Sequence, residues 1–219
     1  MSTAPEPGLR ERKKQRTRRH IAETARRLFS ERGFEQVTVA EIARAAEVAE
    51  ATVFNYFPTK EDLFYWQLEA FEERLTRAVR DRPPGTSVLA AFSALLTGAG
   101  GVLAFRGDDD ADATERLHDV TRLVTGSPAL LAREHQVFAR YADTLAALLA
   151  EESGAEPGDV VPRVAANALL GLHRALIDHV RAQALAGVPA SVVREDVIEQ
   201  ARRGVARLEA GLADYGVAP

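Results

Sequence analysis

The 219-residue chain contains no cysteine, which excludes disulfides, thiol nucleophiles and thiolate metal sites and fits a reducing, cytoplasmic setting. Lysine is scarce, with Lys13, Lys14 and Lys60 the only three among 28 basic residues. No stretch alternates polar and apolar residues with period two, so no sheet is expected. Enzyme motifs are missing as well. There is no Gly-x-x-x-x-Gly-Lys loop, no Gly-x-Ser-x-Gly elbow and no His-Glu-x-x-His pair, and Gly98 to Gly101 follow no strand that would make them a dinucleotide loop. Glu115 and His118 have the i, i+3 spacing of a di-iron bundle, but that site needs a second such pair and two further glutamates. The acidic run Asp108 to Asp112 lacks the central glycine and distal glutamate of a calcium loop. The chain is therefore expected to be no enzyme, and to hold no cofactor and no metal.

Long apolar runs are also rare. Thr86 to Phe105 is twenty residues without a charge, long enough for a membrane span. It contains Gly98, Gly100 and Gly101 and lacks aromatic anchors at both ends, so a buried helix bent or ended near the glycines is the better expectation. Residues 1–15 carry charges with no apolar run behind them, so no secretory signal is expected.

What is present is an ordinary globular composition, 46% apolar and 27% charged, enough for one large or two small domains. Charge is unevenly placed. Nine basic residues lie between Arg10 and Arg27, among them Arg16, Arg18 and Arg19, against Glu11 and Glu23, while the whole chain carries −4. Such segregation reads as a basic arm that seeks a polyanion, attached to an acidic body. A merely solvated terminus is the plainer reading of the same run.

Apolar periodicity gives about nine helices. Ile21, Ala25, Leu28 and Phe29 share one face of a helix beginning near Thr17, and Gly33 suits the position just past its end. Thr38 with Glu41 is a capping-box pattern opening a two-turn helix. After a turn at Glu47 and Val48, Glu50 to Phe57 form another, expected to bury Val53, Phe54 and Phe57, and Pro58 stops it. Thr59 with Asp62 repeats the capping signal before a long helix carrying Phe64, Leu68, Phe71, Leu75 and Val79, which Pro83-Pro84-Gly85 ends. Five further helices follow, around Thr86–Phe105, Asp112–Thr125, Pro128–Glu152, Arg163–Ala186 and Ser191–Ala213.

Three short helices with tight turns after a basic run are the layout of a helix-turn-helix DNA reader, whose second paired helix enters the major groove. Here that helix is Glu50 to Tyr56. Its candidate groove residues Glu50, Ala51, Thr52, Asn55 and Tyr56 include no cation. Asn55 suits adenine or a phosphate, Glu50 a cytosine amine and Ala51 a thymine methyl. Phosphate affinity is then expected from the arm, Lys60, the Thr38 hydroxyl and amides at helix starts.

The set Ile21, Ala25, Leu28-Phe29, Gly33-Phe34, Thr38-Val39, Ile42-Ala43, Ala46, Val48, Thr52-Val53-Phe54, Tyr56-Phe57, Lys60-Glu61 and Leu63 resembles the N-terminal domain of the TetR family of bacterial transcriptional regulators. The resemblance covers about residues 15–75. It implies an all-α homodimer, usually a repressor, with a flexible basic arm over 1–14, a helix-turn-helix domain over 15–75, and an effector-binding and dimerisation domain over 76–219. The family's phosphate-contacting tyrosine and lysine fall on Tyr56 and Lys60, and its capping threonine on Thr38. Three positions depart: Glu47 where glycine is usual, Ala49 where a capping serine is usual, and Phe54 where tyrosine is common.

Beyond residue 75 the resemblance is architectural. Polar and aromatic residues on apolar helices are the candidates to line a small-molecule pocket: Phe92, Phe105, His118, Arg122, Phe138, Tyr141, Asn167 and His173. His118 and Arg122, at i, i+4, would favour an acidic effector. Trp66 lies off the apolar stripe of its helix, facing solvent, the DNA-binding domain or the effector cavity. The implied partners are a pseudo-palindromic double-stranded operator, a second copy joined through the last two helices, an unknown effector, and no membrane. A helical DNA-binding protein without a small effector, constitutive or controlled by a protein partner, is the alternative.

Overall fold

A computed structural model describes residues 8–66, 68–98 and 110–211. Among these residues there are ten helices and no strand: α1 (Leu9–Arg32), α2 (Val39–Ala45), α3 (Glu50–Tyr56), α4 (Lys60–Phe64), α5 (Leu68–Arg80), α6 (Val88–Thr97), α7 (Asp110–Thr125), α8 (Pro128–Ser153), α9 (Val161–Leu185) and α10 (Ala190–Ala210). The chain divides into two compact units, Met1–Leu68 with Leu123–Leu130, and Glu69–Arg122 with Leu131–Pro219.

In the first unit, Ile21, Ala25, Leu28 and Phe29 are buried together with Phe34, Val37, Ile42, Val53, Phe57 and Leu63. Their spacing puts one apolar face of α1 against α2 and α4, and α3 packs on α2. α1 ends where Gly33 takes φ 84° and its N–H donates to the Phe29 carbonyl at 2.8 Å. That left-handed turn returns Phe34 onto Phe29, with ring centroids 4.9 Å apart. The helix starts earlier than expected, at Leu9 rather than near Thr17, so residues 9–14 of the anticipated flexible arm are helical. Leu9 to Arg32 contain neither glycine nor proline, and the arm's Arg, Lys, Glu and Gln side chains are good helix formers. Both capping boxes form: Thr38 with Glu41, and Thr59 with Asp62.

The helix expected to run on from Thr59 is divided into α4 and α5, which brings the described total to ten. Tyr65 closes α4 with φ −92° and ψ 14°. Its ring is buried and its hydroxyl donates to the Leu130 carbonyl at 3.1 Å, an anchor that apolar periodicity does not encode. Val124, Ser127 and Leu130, from the turn joining α7 to α8, complete this core.

The second unit buries Phe71, Leu75 and Val79 of α5, Phe92 and Leu96 of α6, Phe138, Tyr141 and Leu145 of α8, Leu169, Leu176 and Val180 of α9, and Val193, Val197 and Ala201 of α10. α6 stops before Gly98, in line with the expected break at the glycines, and no described helix is long and apolar enough to cross a membrane. α9 and α10 approach closely at Gly204, where a Cβ would meet Leu172 Cδ1 at 2.3 Å. Arg181 of α9 donates to Glu134 of α8 at 2.9 Å, and both side chains are largely buried.

Candidate nucleic-acid interface

The local sequence builds the interface in three steps. Thr38 begins α2 by accepting the Glu41 N–H at 3.2 Å while its own N–H donates to the Glu41 carboxylate at 2.9 Å. The turn after α2 is closed by the Val48 N–H donating to the Ala43 carbonyl at 2.9 Å. Glu47 lies in that turn with φ 54°, the left-handed region that glycine occupies at least cost. α3 then starts at Ala49, which has extended backbone but no side-chain cap.

α3 presents a mixed face. Glu50, Ala51 and Asn55 are exposed, Thr52 and Tyr56 half-buried, and Val53 and Phe57 buried. Phe54 departs from expectation, because it is 48% exposed rather than buried. At about 100° per residue, Val53 and Phe57 share the inward side and Phe54 is carried round onto the outward one.

The cations are not equivalent. Arg16 and Arg19 are exposed on α1, as are Arg10, Arg12, Lys13 and Lys14. The Arg18 guanidinium lies over the Phe57 ring, 5.3 Å from its centroid. Lys60 is the most constrained. Its ammonium donates to the Phe34 carbonyl at 3.0 Å and sits 4.2 Å from the centre of the Phe34 ring, so it holds α4 to the chain leaving α1 and keeps two N–H donors for another acceptor. The Thr38 hydroxyl also has an internal partner, donating to the Glu41 carboxylate at 2.8 Å. That carboxylate, bonded by the Thr38 N–H, Arg32 and the Thr38 hydroxyl, is held down to a pKa of about 2. It stays charged at any working pH.

The effector candidates scatter. Phe138, Tyr141 and His173 meet in one buried cluster with Phe71, the His173 and Phe71 ring centroids being 4.2 Å apart. Phe92 is fully buried. Three candidates do not face the interior: Arg122 and Asn167 are exposed, and His118 is half-exposed with its Nδ1 3.8 Å from Asp119. Helical spacing puts residues on a common face without saying whether that face is covered. Trp66 is half-buried and belongs to the first unit, and Phe105 lies outside the described residues. A cavity of about 980 Å³ opens elsewhere in the second unit, walled by Val88, Leu89, Leu149, Val161, Leu169 and Leu208, with Arg82 and Glu152 beside them. None of the eight candidates among the described residues lines it. Among the described residues no group of three or more histidines and carboxylates is placed to hold a metal ion.

Sequence reasoning missed Phe54 as an outward residue and missed the Glu35–Ser127 hydrogen bond, 2.6 Å long, within the first unit. The exposure of Phe54 was readable from its offset to Val53 and Phe57. The Glu35 contact spans 92 positions and left no local signal.

Comparison with known proteins agrees with this geometry. A family model for bacterial regulatory proteins of the tetR family matches residues 21–65, and a model described as the MftR C-terminal domain matches residues 89–212. The transcriptional regulator TcmR of Streptomyces glaucescens is 34% identical over 160 residues, covering 72% of this chain and 70% of that protein. The putative mycofactocin biosynthesis transcriptional regulator MftR of Mycobacterium tuberculosis is 27% identical over 168 residues, covering 77% and 81%. Among solved structures, NalD of Pseudomonas aeruginosa superposes with a TM-score of 0.53 at 24% identity, over 87% of this chain and 97% of that one, a likeness of fold. With its helix-turn-helix in place and both parts of the chain matched, the protein belongs to the tetR family of DNA-binding bacterial transcriptional regulators.

Proposed function

We propose that the protein is a homodimeric repressor that reads a pseudo-palindromic operator and is released from it by a small-molecule effector. Glu50, Ala51, Thr52 and Asn55 would face base edges, while Tyr56, Lys60, Thr38, Arg16, Arg18 and Arg19 would meet phosphates. Lys60 can do so without leaving the Phe34 carbonyl. Thr38, whose hydroxyl already donates to Glu41, would meet a phosphate only by exchanging that bond.

The observation that carries the dimer is a stripe on α9. Val164, Ala168, Gly171, Ala175, Ala182 and Leu185 are all exposed, at spacings that keep them on one side of the helix. The side chains shrink to Gly171 and Ala175 at the middle and enlarge to valine and leucine at the ends. A two-fold axis near Ala175 would set two copies of α9 antiparallel, closest where the residues are small, with Val164 of each copy near Leu185 of the other. Two α3 helices would then enter successive major grooves about 34 Å apart.

The effector is assigned to the second unit, whose apolar cavity of about 980 Å³ is of ligand-binding size. An effector that favours a dimer with the wrong α3 separation weakens operator binding, and the operator weakens effector binding by the same factor. The test is direct. Purified protein is incubated with sheared DNA of its own genome, and the retained fragments are sequenced while light scattering reports mass. A few fragments sharing an inverted repeat, held by a dimer, are expected. Even retention across the genome, or a monomer at micromolar concentration, would refute the proposal.

A further inference from the structure

Among the side chains of the first unit whose exposure is described, Phe54 is the one large apolar group left exposed, at 48%. It does not stand apart from the reading surface. Around α3, at about 100° per residue, the exposed arc runs in the order Glu50, Phe54, Ala51, Asn55. Its flanks are polar and its centre is apolar. Phe54 and Ala51, three positions apart, thus form one contiguous hydrocarbon surface between a carboxylate and a carboxamide.

The major groove offers such a surface a single kind of partner. Base edges present nitrogen and oxygen acceptors, amino donors and one apolar group, the 5-methyl of thymine. A phenyl ring has neither donor nor acceptor, so it forms no hydrogen bond with a phosphate or a base edge. The tyrosine common at this place in the family has a hydroxyl that does. We infer that Phe54, backed by Ala51, is a specificity-determining residue that packs on the methyl group of a thymine in each half-site, with Asn55 and Glu50 taking hydrogen bonds from the adjoining base pairs. The inference rests on α3 being the operator-reading helix.

Deoxyuridine in place of thymine removes that methyl and nothing else, which makes the test specific. A minimal duplex from the retained genomic fragments is resynthesised with each thymine replaced in turn. Wild-type protein should lose about fourfold in affinity at one thymine of each half-site, the effect of one methyl group no longer buried. Phe54→Ala should bind the thymine duplex more weakly and be indifferent to deoxyuridine at that position, whereas Asn55→Ala should keep the full methyl response. Phe54→Leu, apolar but smaller, should keep part of it. Melting curves of the variants should match wild type, because half of the Phe54 ring already faces water. Indifference of wild type to deoxyuridine at every position, or an undiminished response in Phe54→Ala, would overturn the inference alone. If no duplex is retained, or Asn55→Ala changes neither affinity nor preference, the reading-helix assignment falls with it.

Discussion

The Ser127 hydroxyl donates to the Glu35 carboxylate at 2.6 Å and accepts the Leu130 N–H at 3.3 Å. One buried side chain therefore caps α8 and ties the α7–α8 turn to the loop between α1 and α2. Ser127→Ala loses both interactions and should cost about 2 kcal/mol, roughly half from the cap and half from the charge-assisted bond. A double-mutant cycle with Glu35→Ala, followed by urea unfolding, should give a coupling of about 1 kcal/mol. Additive effects would show that the bond contributes nothing in solution. α7 and α8 enter the first unit through Leu123–Leu130. The same variant should accordingly blunt the change in operator affinity caused by any effector found in a thermal-shift screen.

The helix-turn-helix turn carries two local faults that substitution should repair. Glu47, at φ 54°, is the one non-glycine among the described residues with a positive φ, and Ala49 opens α3 without a side-chain acceptor. Glu47→Gly relieves the left-handed strain but adds unfolded-state entropy, for a net gain of about 0.5 kcal/mol. Ala49→Ser supplies an oxygen to the free amides of the first turn and should add about 1 kcal/mol. Thermal melts of the double variant above wild type are expected. A lower midpoint would mean that Glu47 makes compensating contacts in the turn.

Why some of this was legible and some was not follows from the range of each interaction. Capping boxes, the Gly33 stop and the apolar faces of α1, α9 and α10 depend on residues a few positions apart, so their patterns survive in the sequence. The break after Phe64 does not, because it depends on Tyr65 reaching Leu130. His118 and Arg122 share a helical face as expected, yet that face points to solvent, and nothing in an i, i+4 spacing says what will cover it. His173 illustrates the opposite outcome. Sequence marks it only as one polar residue among many, and two aromatic rings from two other helices, Phe71 and Phe138, lie against it. The helix-turn-helix layout marked α3 as the expected reading helix, while the exposure of Phe54 and the Phe34 contacts of Lys60 depend on how the helices pack.

Lys60 joins two roles that two readouts, salt dependence and stability, can separate. Its ammonium sits over the Phe34 ring and donates to the Phe34 carbonyl, and its remaining donors can meet a phosphate. Lys60→Met keeps most of the apolar stem and removes the charge. Operator affinity should fall by a similar factor for every sequence, and the salt dependence should lose about one charge. Both Lys60→Met and Lys60→Ala should also destabilise the protein by about 1 kcal/mol, since each removes the cation–π contact and leaves the Phe34 carbonyl without the ammonium, and Lys60→Ala should lose the apolar stem as well. An unchanged salt slope in Lys60→Met would assign the lysine to folding alone.

His173 should make the protein acid-sensitive well above the carboxylate range. It is 4% exposed, with the Phe71 and Phe138 rings against it, and among the described residues its Nδ1 has no hydrogen-bond partner. Burial, with a smaller contribution from the charge of Arg74, lowers its pKa from 6.5 to about 4. As pH falls, the unfolded chain takes up this proton first, so the neutral form favours the fold above pH 6.5 and that stability is lost progressively down to pH 4. The loss totals about 3 kcal/mol. Glu41, Glu152 and Asp196 also have lowered pKa values, each through hydrogen bonds to its carboxylate, but their contributions persist until the pH drops below about 4.5. Between pH 6.5 and 4.5 the slope of stability against pH therefore belongs to His173 among these groups. His173→Leu, which fills the same cluster without a titratable nitrogen, should flatten that slope and leave the steeper fall at lower pH in place. Urea unfolding at half-unit steps from pH 7.5 to 4 measures both. An identical slope in the variant would mean that His173 is protonated in the folded protein, with its charge satisfied by a group brought to it.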